Sequence, residues 1–351
     1  MKSRISDLLD GWEDCSVELI PPPEVSSERI RKRTMRLLQT KPNARRRLVP
    51  RLLSCAALAA TLTISALAAY QIWGPGDLFD SFFALEYAPL DDGQKELLDQ
   101  IGTTDLAPTV SEGITFTPLA AISDEHTLYL RLRVEAPEGA SLPDMGEQEG
   151  HIFENVHLTN TTGANLNWGM QKARFLKDET PGDNVVELVF ILYGTPDSTN
   201  WNDGVEKTLT LENLHLSPVD DPEPTVLNGT WSFQLSHFYQ SQTANVDTTG
   251  AVWLDADHQN TITLEYLQIS PLSVTYRLHC TDSSQIPLDD VGIDLVLQDG
   301  SVISLGMGNG TFGPDFMEST QAFETPIPLN QIDHIQFGNC SLSLPDSDRT
   351  T

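Results

Sequence analysis

Beyond Arg51 the chain is short of positive charge, with nine Lys or Arg against 43 Asp or Glu. A segment that carries −34 repels nucleic acid and anionic lipid alike, so a nucleic-acid role is excluded for it. Cysteine is scarce as well: four in 351 residues, too few for a disulfide-stapled mini-scaffold. No G-x-S-x-G, H-E-x-x-H or Walker pattern occurs. The usual nucleophile, zinc and phosphate signatures are therefore missing, and neither enzyme activity nor a metal or cofactor is expected. The one literal G-x-G-x-x-G, at Gly308, Gly310 and Gly313, is followed by Pro314 and by no helical pattern, so it reads as a strand-connecting loop.

Charge is also absent from residues 52–73, and here the absence is informative. As a helix those 22 residues span about 33 Å, enough for a hydrocarbon core of about 30 Å. Arg45, Arg46, Arg47 and Arg51 precede the run, whereas residues 74–92 hold acidic residues and no Lys or Arg. The positive-inside rule puts the N-terminus in the cytoplasm and the acidic bulk outside the cell membrane. Ala66, Leu67 and Ala68 resemble a signal-peptide cleavage site, but an apolar run that starts only after residue 51 is too far along the chain for one.

The cytoplasmic part holds two candidate helices separated by Pro21, Pro22 and Pro23. Ile5, Leu8, Leu9 and Trp12 form one apolar stripe, and Ile30, Leu37 and Leu38 a second one set among Arg29, Arg31, Lys32, Arg33 and Arg36. Some 50 residues cannot bury a core alone, so these stripes need a partner protein or the inner membrane surface.

Outside, residues 91–101 read as one amphipathic helix through Leu97, Leu98 and Ile101, a stalk. The period then changes to two. Residues 127–134 alternate Leu128, Leu130, Leu132, Val134 with Tyr129, Arg131, Arg133, as in a strand with one face in water. Residues 114–118, 185–193 and 207–216 are further strands, bounded by turn residues. Residues 217–224, rich in Pro and Asp, read as a linker. Beyond it, strands are expected at 231–235, 261–269, 273–280, 291–297, 301–305 and 334–344, with a hairpin turn at 298–301.

The expected fold class is thus mainly β: two extracellular antiparallel β-sandwich domains tethered by one transmembrane helix, with short cytoplasmic helices. The segments are 1–48 cytoplasmic, 49–73 transmembrane, 74–110 stalk, 111–216 first sandwich, 217–224 linker, 225–344 second sandwich and 345–351 a disordered tail. Cys280 and Cys340 are candidates for a disulfide between two strands of the second sandwich, or equally for small buried core residues. His151, Glu154 and His157 do not make a metal site if extended, because the two His then stand about 20 Å apart with Glu154 on the opposite face. Asp197, Asn200, Asn202 and Asp203 lack the register of a calcium loop and read as a polar turn.

The order of parts, together with the cytoplasmic run from Val25 through Ser26, Ser27, Arg29, Ile30, Thr34 and Met35, resembles membrane-anchored anti-sigma-factor-like proteins of Gram-positive bacteria. The run Val110, Ser111, Glu112, Gly113, Ile114, Thr115 is similar to that family's outer domain of unknown function. The stretches Gly229-Thr230-Trp231-Ser232-Phe233 and Leu267 to Ser273 resemble the immunoglobulin-like domain that follows it. This resemblance implies that the cytoplasmic segment binds an extracytoplasmic-function sigma factor through Ile5, Leu8, Leu9, Trp12, Ile30, Arg33, Leu37 and Leu38. It also implies that the outer domains report on envelope conditions through an unknown extracellular ligand. Capture would be metal-free, since the segment has Cys15 but no His. The alternative is a cell-surface binding or adhesion module with a membrane anchor and no transcriptional role.

Overall fold

The computed structural model describes residues 74–83, 89–146, 148–178, 180–194, 200–201, 203–217, 225–235, 242–254, 261–280, 292–305 and 308–345. The apolar run 52–73, both cytoplasmic stripes, most of the 217–224 linker and the end of the tail lie outside the described residues. No helix among the described residues is long and apolar enough to cross a membrane.

The described chain is mainly β, in antiparallel sheets. In the first lobe, β3 (Ile114–Ser123), β4 (Thr127–Glu135) and β8 (Val185–Tyr193) form the centre of a large sheet. It is flanked by β1 (Gly102–Thr103) and β2 (Thr109–Ser111) on one side, and by β7 (Met170–Phe175) and β5 (Glu149–Gly150) on the other. A second sheet of three strands has β9 (Lys207–Leu216) between β6 (Phe153–Asn160) and β10 (Thr225–Leu235). Between the two sheets the inward residues of every long strand make one core. Its largest fully buried side chain is Trp231, whose ring stacks on Phe116 at 4.1 Å between centroids and whose Nε1 donates to Ile114 O at 3.2 Å.

The placement of β10 corrects the domain boundary expected at 224. Thr225 pairs with Leu216 and Leu235 with Lys207, so the Pro-rich stretch joins two neighbouring strands of one sheet. The reason is the period-two pattern of β10: Trp231, Phe233 and Leu235 fill the core of the first lobe, where Leu209 and Leu211 already face inward. A second difference lies in β3, which runs five residues past Pro118. The register shifts between Pro118 and Ala120, and such a bulge absorbs the N–H that proline lacks.

The second lobe packs one sheet of β13 (Thr261–Ile269), β14 (Ser273–His279), β18 (Phe316–Ala322), β17 (Asn309–Phe312), β11 (Ala244–Val246) and β12 (Val252–Leu254) on another. That other sheet orders β16 (Val302–Leu305), β15 (Ile293–Leu297), β19 (Ile332–Phe337) and β20 (Cys340–Leu342). Ile262, Leu264, Val274 and Leu278 meet Leu295, Ile332, Ile335 and Phe337 in the core. The turn expected at 298–301 is present: Ser301 N donates to Asp299 Oδ1 at 2.8 Å, and Gly300 takes a φ of +84° that favours glycine. All the described residues belong to one compact unit.

Two helices cover the outer face of the large sheet. In α1 (Pro75–Phe83) the buried residues Leu78, Phe79, Phe82 and Phe83 recur at helical spacing. In α2 (Asp92–Gln100) Asp91 makes a capping box with Gln94, their two bonds being 2.8 and 3.0 Å. The helices touch closely, because a Cβ at Gly76 would stand 2.4 Å from Lys95 O. Lys95 bonds Asp80 at 3.0 Å and Asp77 at 3.4 Å across the pair. The segment is therefore a packed layer, and the stalk expectation is replaced by burial of an apolar stripe that sequence alone left without a partner. For the same reason Tyr129 and Arg131 do not face water. Tyr129 lies under Phe79, Phe82 and Phe83, and Arg131 ties the sheet to α1 through Leu78 O and to Glu187 at 2.6 Å.

Candidate functional site

Where the helical layer, the large sheet and the second lobe meet, two features stand out: a buried polar latch and, beside it, an open cavity.

The latch centres on Asp124, in the turn between β3 and β4. Its Oδ1 accepts from the backbone N–H of His126 at 2.8 Å and of Thr127 at 2.5 Å, which is ordinary Asx-turn chemistry. Its Oδ2 accepts the hydroxyls of Ser270, at 2.6 Å, and of Ser273, both from the β13–β14 turn of the second lobe. Asp124, Ser270 and Ser273 are all buried. Leu272, at the tip of that turn, is buried in the apolar layer formed by α1, α2 and the large sheet. His126 Nε2 stands 3.2 Å from Gln268 Oε1, and Gln94 Nε2 donates to Pro326 O at 2.9 Å. The two lobes are thus joined by a charge-assisted contact, an inserted leucine and flanking amide contacts.

The cavity, of about 290 Å³, opens next to Phe82 and Phe83 at the end of α1. It is also lined by Ile191 and Tyr193 of β8 and by Ala322, Phe323 and Glu324 of the second lobe. Lys172, Arg174 and Glu149 project from β7 and β5 into its lining. Glu149 bridges the two cations: it pairs with Lys172 and stands 3.6 Å from Arg174. The Arg174 guanidinium carbon lies 5.9 Å from the centre of the Phe82 ring. Burial first, and then the negative charge of Glu149, pushes the Tyr193 hydroxyl up to about 12. Tyr129 moves well above its usual value for the same leading reason. The cavity thus combines an aromatic wall with charges of both signs.

None of the residues expected to bind a sigma factor, Ile5, Leu8, Leu9, Trp12, Ile30, Arg33, Leu37 and Leu38, lies among the described residues. Cys280 and Cys340 do, and no disulfide joins them: both are thiols. Cys280 is buried at the end of β14, in the sheet opposite β20, and Cys340 Sγ turns to the carbonyls of Val252, at 3.7 Å, and Gly250, at 4.0 Å. Cys280 is thus part of the core, whereas Cys340 is only partly buried against it. Glu154 and His157 lie on β6, where Glu154 bonds Asn213 and His157 Nε2 stands 3.9 Å from Glu212. Among the described residues no group of three His, Cys, Asp or Glu is placed to hold a metal. Gly308 N donates to Ser319 Oγ, and Gly310 lies within edge strand β17. Asp203 pairs with the buried Lys207.

Neither the latch nor the cavity is legible in the sequence. The Phe79, Phe82, Phe83 stripe carries a helical signal, but nothing local connects Glu149 with Lys172 or with Glu324.

No protein-family model matches the chain, and no curated protein matches it. Among solved structures it is similar to the conserved domain protein from Bacillus anthracis, at 16% identity with a TM-score of 0.42, over 68% of this chain and 77% of that one. A likeness that distant adds nothing to the reading of fold or function.

Proposed function

We propose that the described region is the outer, sensing part of a single-pass membrane regulator, its two immunoglobulin-like lobes tethered by residues 52–73 and its N-terminal segment holding an extracytoplasmic-function sigma factor. The observation that supports this most directly is the place of α1. It starts at Pro75, two residues after Trp73 ends the apolar run, and its Phe82 and Phe83 form one wall of the cavity between the lobes. A change in the cavity therefore acts on the element nearest the membrane. The tight Gly76 to Lys95 contact and the Arg131 tie make that element a stiff lever. On the cytoplasmic side the stripes Ile5, Leu8, Leu9, Trp12 and Ile30, Leu37, Leu38 cover the polymerase-binding surface of the sigma factor, with Arg33 among the basic residues that hold it. The role is regulatory and not enzymatic.

The direct test is capture of a sigma factor by residues 1–48, weakened by Trp12→Ala. If scrambling residues 3–40 at constant charge changes no gene's expression, the adhesion reading replaces this one.

A further inference from the structure

We propose that the interlobe cavity binds a small zwitterion with an apolar side chain, of the class of a free amino acid or a dipeptide. Three observations lead there. The first is size: about 290 Å³ is the space of roughly ten water molecules, which admits a molecule of amino-acid dimensions. The second is the balance of charge. Lys172 and Arg174 are matched by Glu149 and Glu324, so a phosphate-like dianion meets two carboxylates and a simple amine meets two cations. A molecule with both an ammonium and a carboxylate satisfies both signs. The third is the pair of rings Phe82 and Phe83, which line the cavity with only 8% and 3% of their surface exposed and so offer an apolar side chain a narrow contact.

Ion-pair exchange makes the binding feasible. Lys172 and Glu149 already pair at a position where both side chains remain more than a third exposed, so opening that pair costs little. A ligand ammonium then takes the place of Lys172 at Glu149, while Lys172 and Arg174 receive the ligand carboxylate, and the number of ion pairs rises. Tyr193 also lines the cavity and adds a neutral hydroxyl that can donate or accept.

The proposal rests on taking the outer region as the sensing part, but its test does not involve transcription, so the two can fail separately. The full-length chain in detergent is titrated with L-leucine, with isoamylamine as the amine alone, and with 4-methylpentanoate as the acid alone, following thermal stability and heat of binding. Expected is a saturable rise in Tm with L-leucine and a far smaller one with either half-molecule. Lys172→Met and Glu149→Gln should each weaken L-leucine binding about tenfold, the loss of one charge contact. Phe82→Leu should weaken it by less and leave the charge preference intact. No saturable response to L-leucine, equal responses to the three probes, or unchanged affinity in Lys172→Met with a native circular dichroism spectrum would each overturn it. If L-leucine binds and no sigma factor is captured, the ligand class stands and the regulatory reading falls.

Discussion

Replacing Asp124 by Ala deprives four donors of one acceptor residue: two backbone N–H groups in its own turn and two hydroxyls of the other lobe. Hydrogen bonds to a charged acceptor contribute about 1.5 to 3 kcal/mol each, so a plain sum over four lies near 6 to 12 kcal/mol. Two effects reduce it. The Ser270 hydroxyl has a second acceptor in Ser273 O at 3.2 Å, and the mutant no longer pays the desolvation of a buried carboxylate. The net loss expected is about 3 to 5 kcal/mol, at the upper end for a point substitution. Asp124→Asn keeps the Oδ1 acceptor for the turn and replaces only the Oδ2 side, so its cost should be about half. Urea unfolding of the full-length chain in mild detergent, followed by tryptophan emission, measures both. Trp231 reports on the first lobe and Trp253 on the second. In the Ala variant the two lobes should unfold at separate urea concentrations, because the contact that couples them has lost its centre. A loss below about 1 kcal/mol, the usual size at an exposed carboxylate, would refute the latch.

Three further expectations follow from the same contacts. Gly76→Ala places a Cβ against backbone of α2 that has no rotamer to yield, and should cost about 2 kcal/mol and speed amide exchange in Asp92–Gln100; wild-type exchange there would contradict the packing of α1 on α2. Tyr193 keeps its proton in the native state up to about 12 but loses it near 10 when unfolded. Its contribution is thus fully present below pH 10 and is lost as pH rises towards 12, and Tyr193→Phe should flatten the alkaline fall of Tm in that window and remove a tyrosinate absorbance component near pH 12. Trp231→Ala should cost about 3 to 5 kcal/mol and lower the stability of the first lobe, whereas a domain boundary at 224 would have it lower the second.

Much of the strand content is legible without coordinates. Residues 207–216 and 261–269 alternate apolar and polar positions, and β9 and β13 cover those same residues. The helix of residues 91–101 is marked by Leu97, Leu98 and Ile101, and α2 fills nearly all of it. Short strands with little alternation leave no such trace: β5 has two residues and β12 three, and their partners in β7 and β13 define them. The segment 334–344 reads as one strand, yet Gly338, followed by Asn339, takes a φ of +55° and folds it into the β19–β20 hairpin.

Local sequence determined where the backbone is extended and which residues alternate, because a period of two is set by the geometry of each strand and needs no distant partner. It also set the division of charge along the chain, which bounds the ligands each part can accept. The tertiary structure alone decided which lobe owns β10, that Tyr129 lies beneath a helix, and that Asp124 meets hydroxyls 146 and 149 residues away. Those outcomes depend on pairing and layer packing between segments far apart in the chain. Burial of an apolar face is satisfied by any complementary face within reach, and only the folded chain selects which one that is.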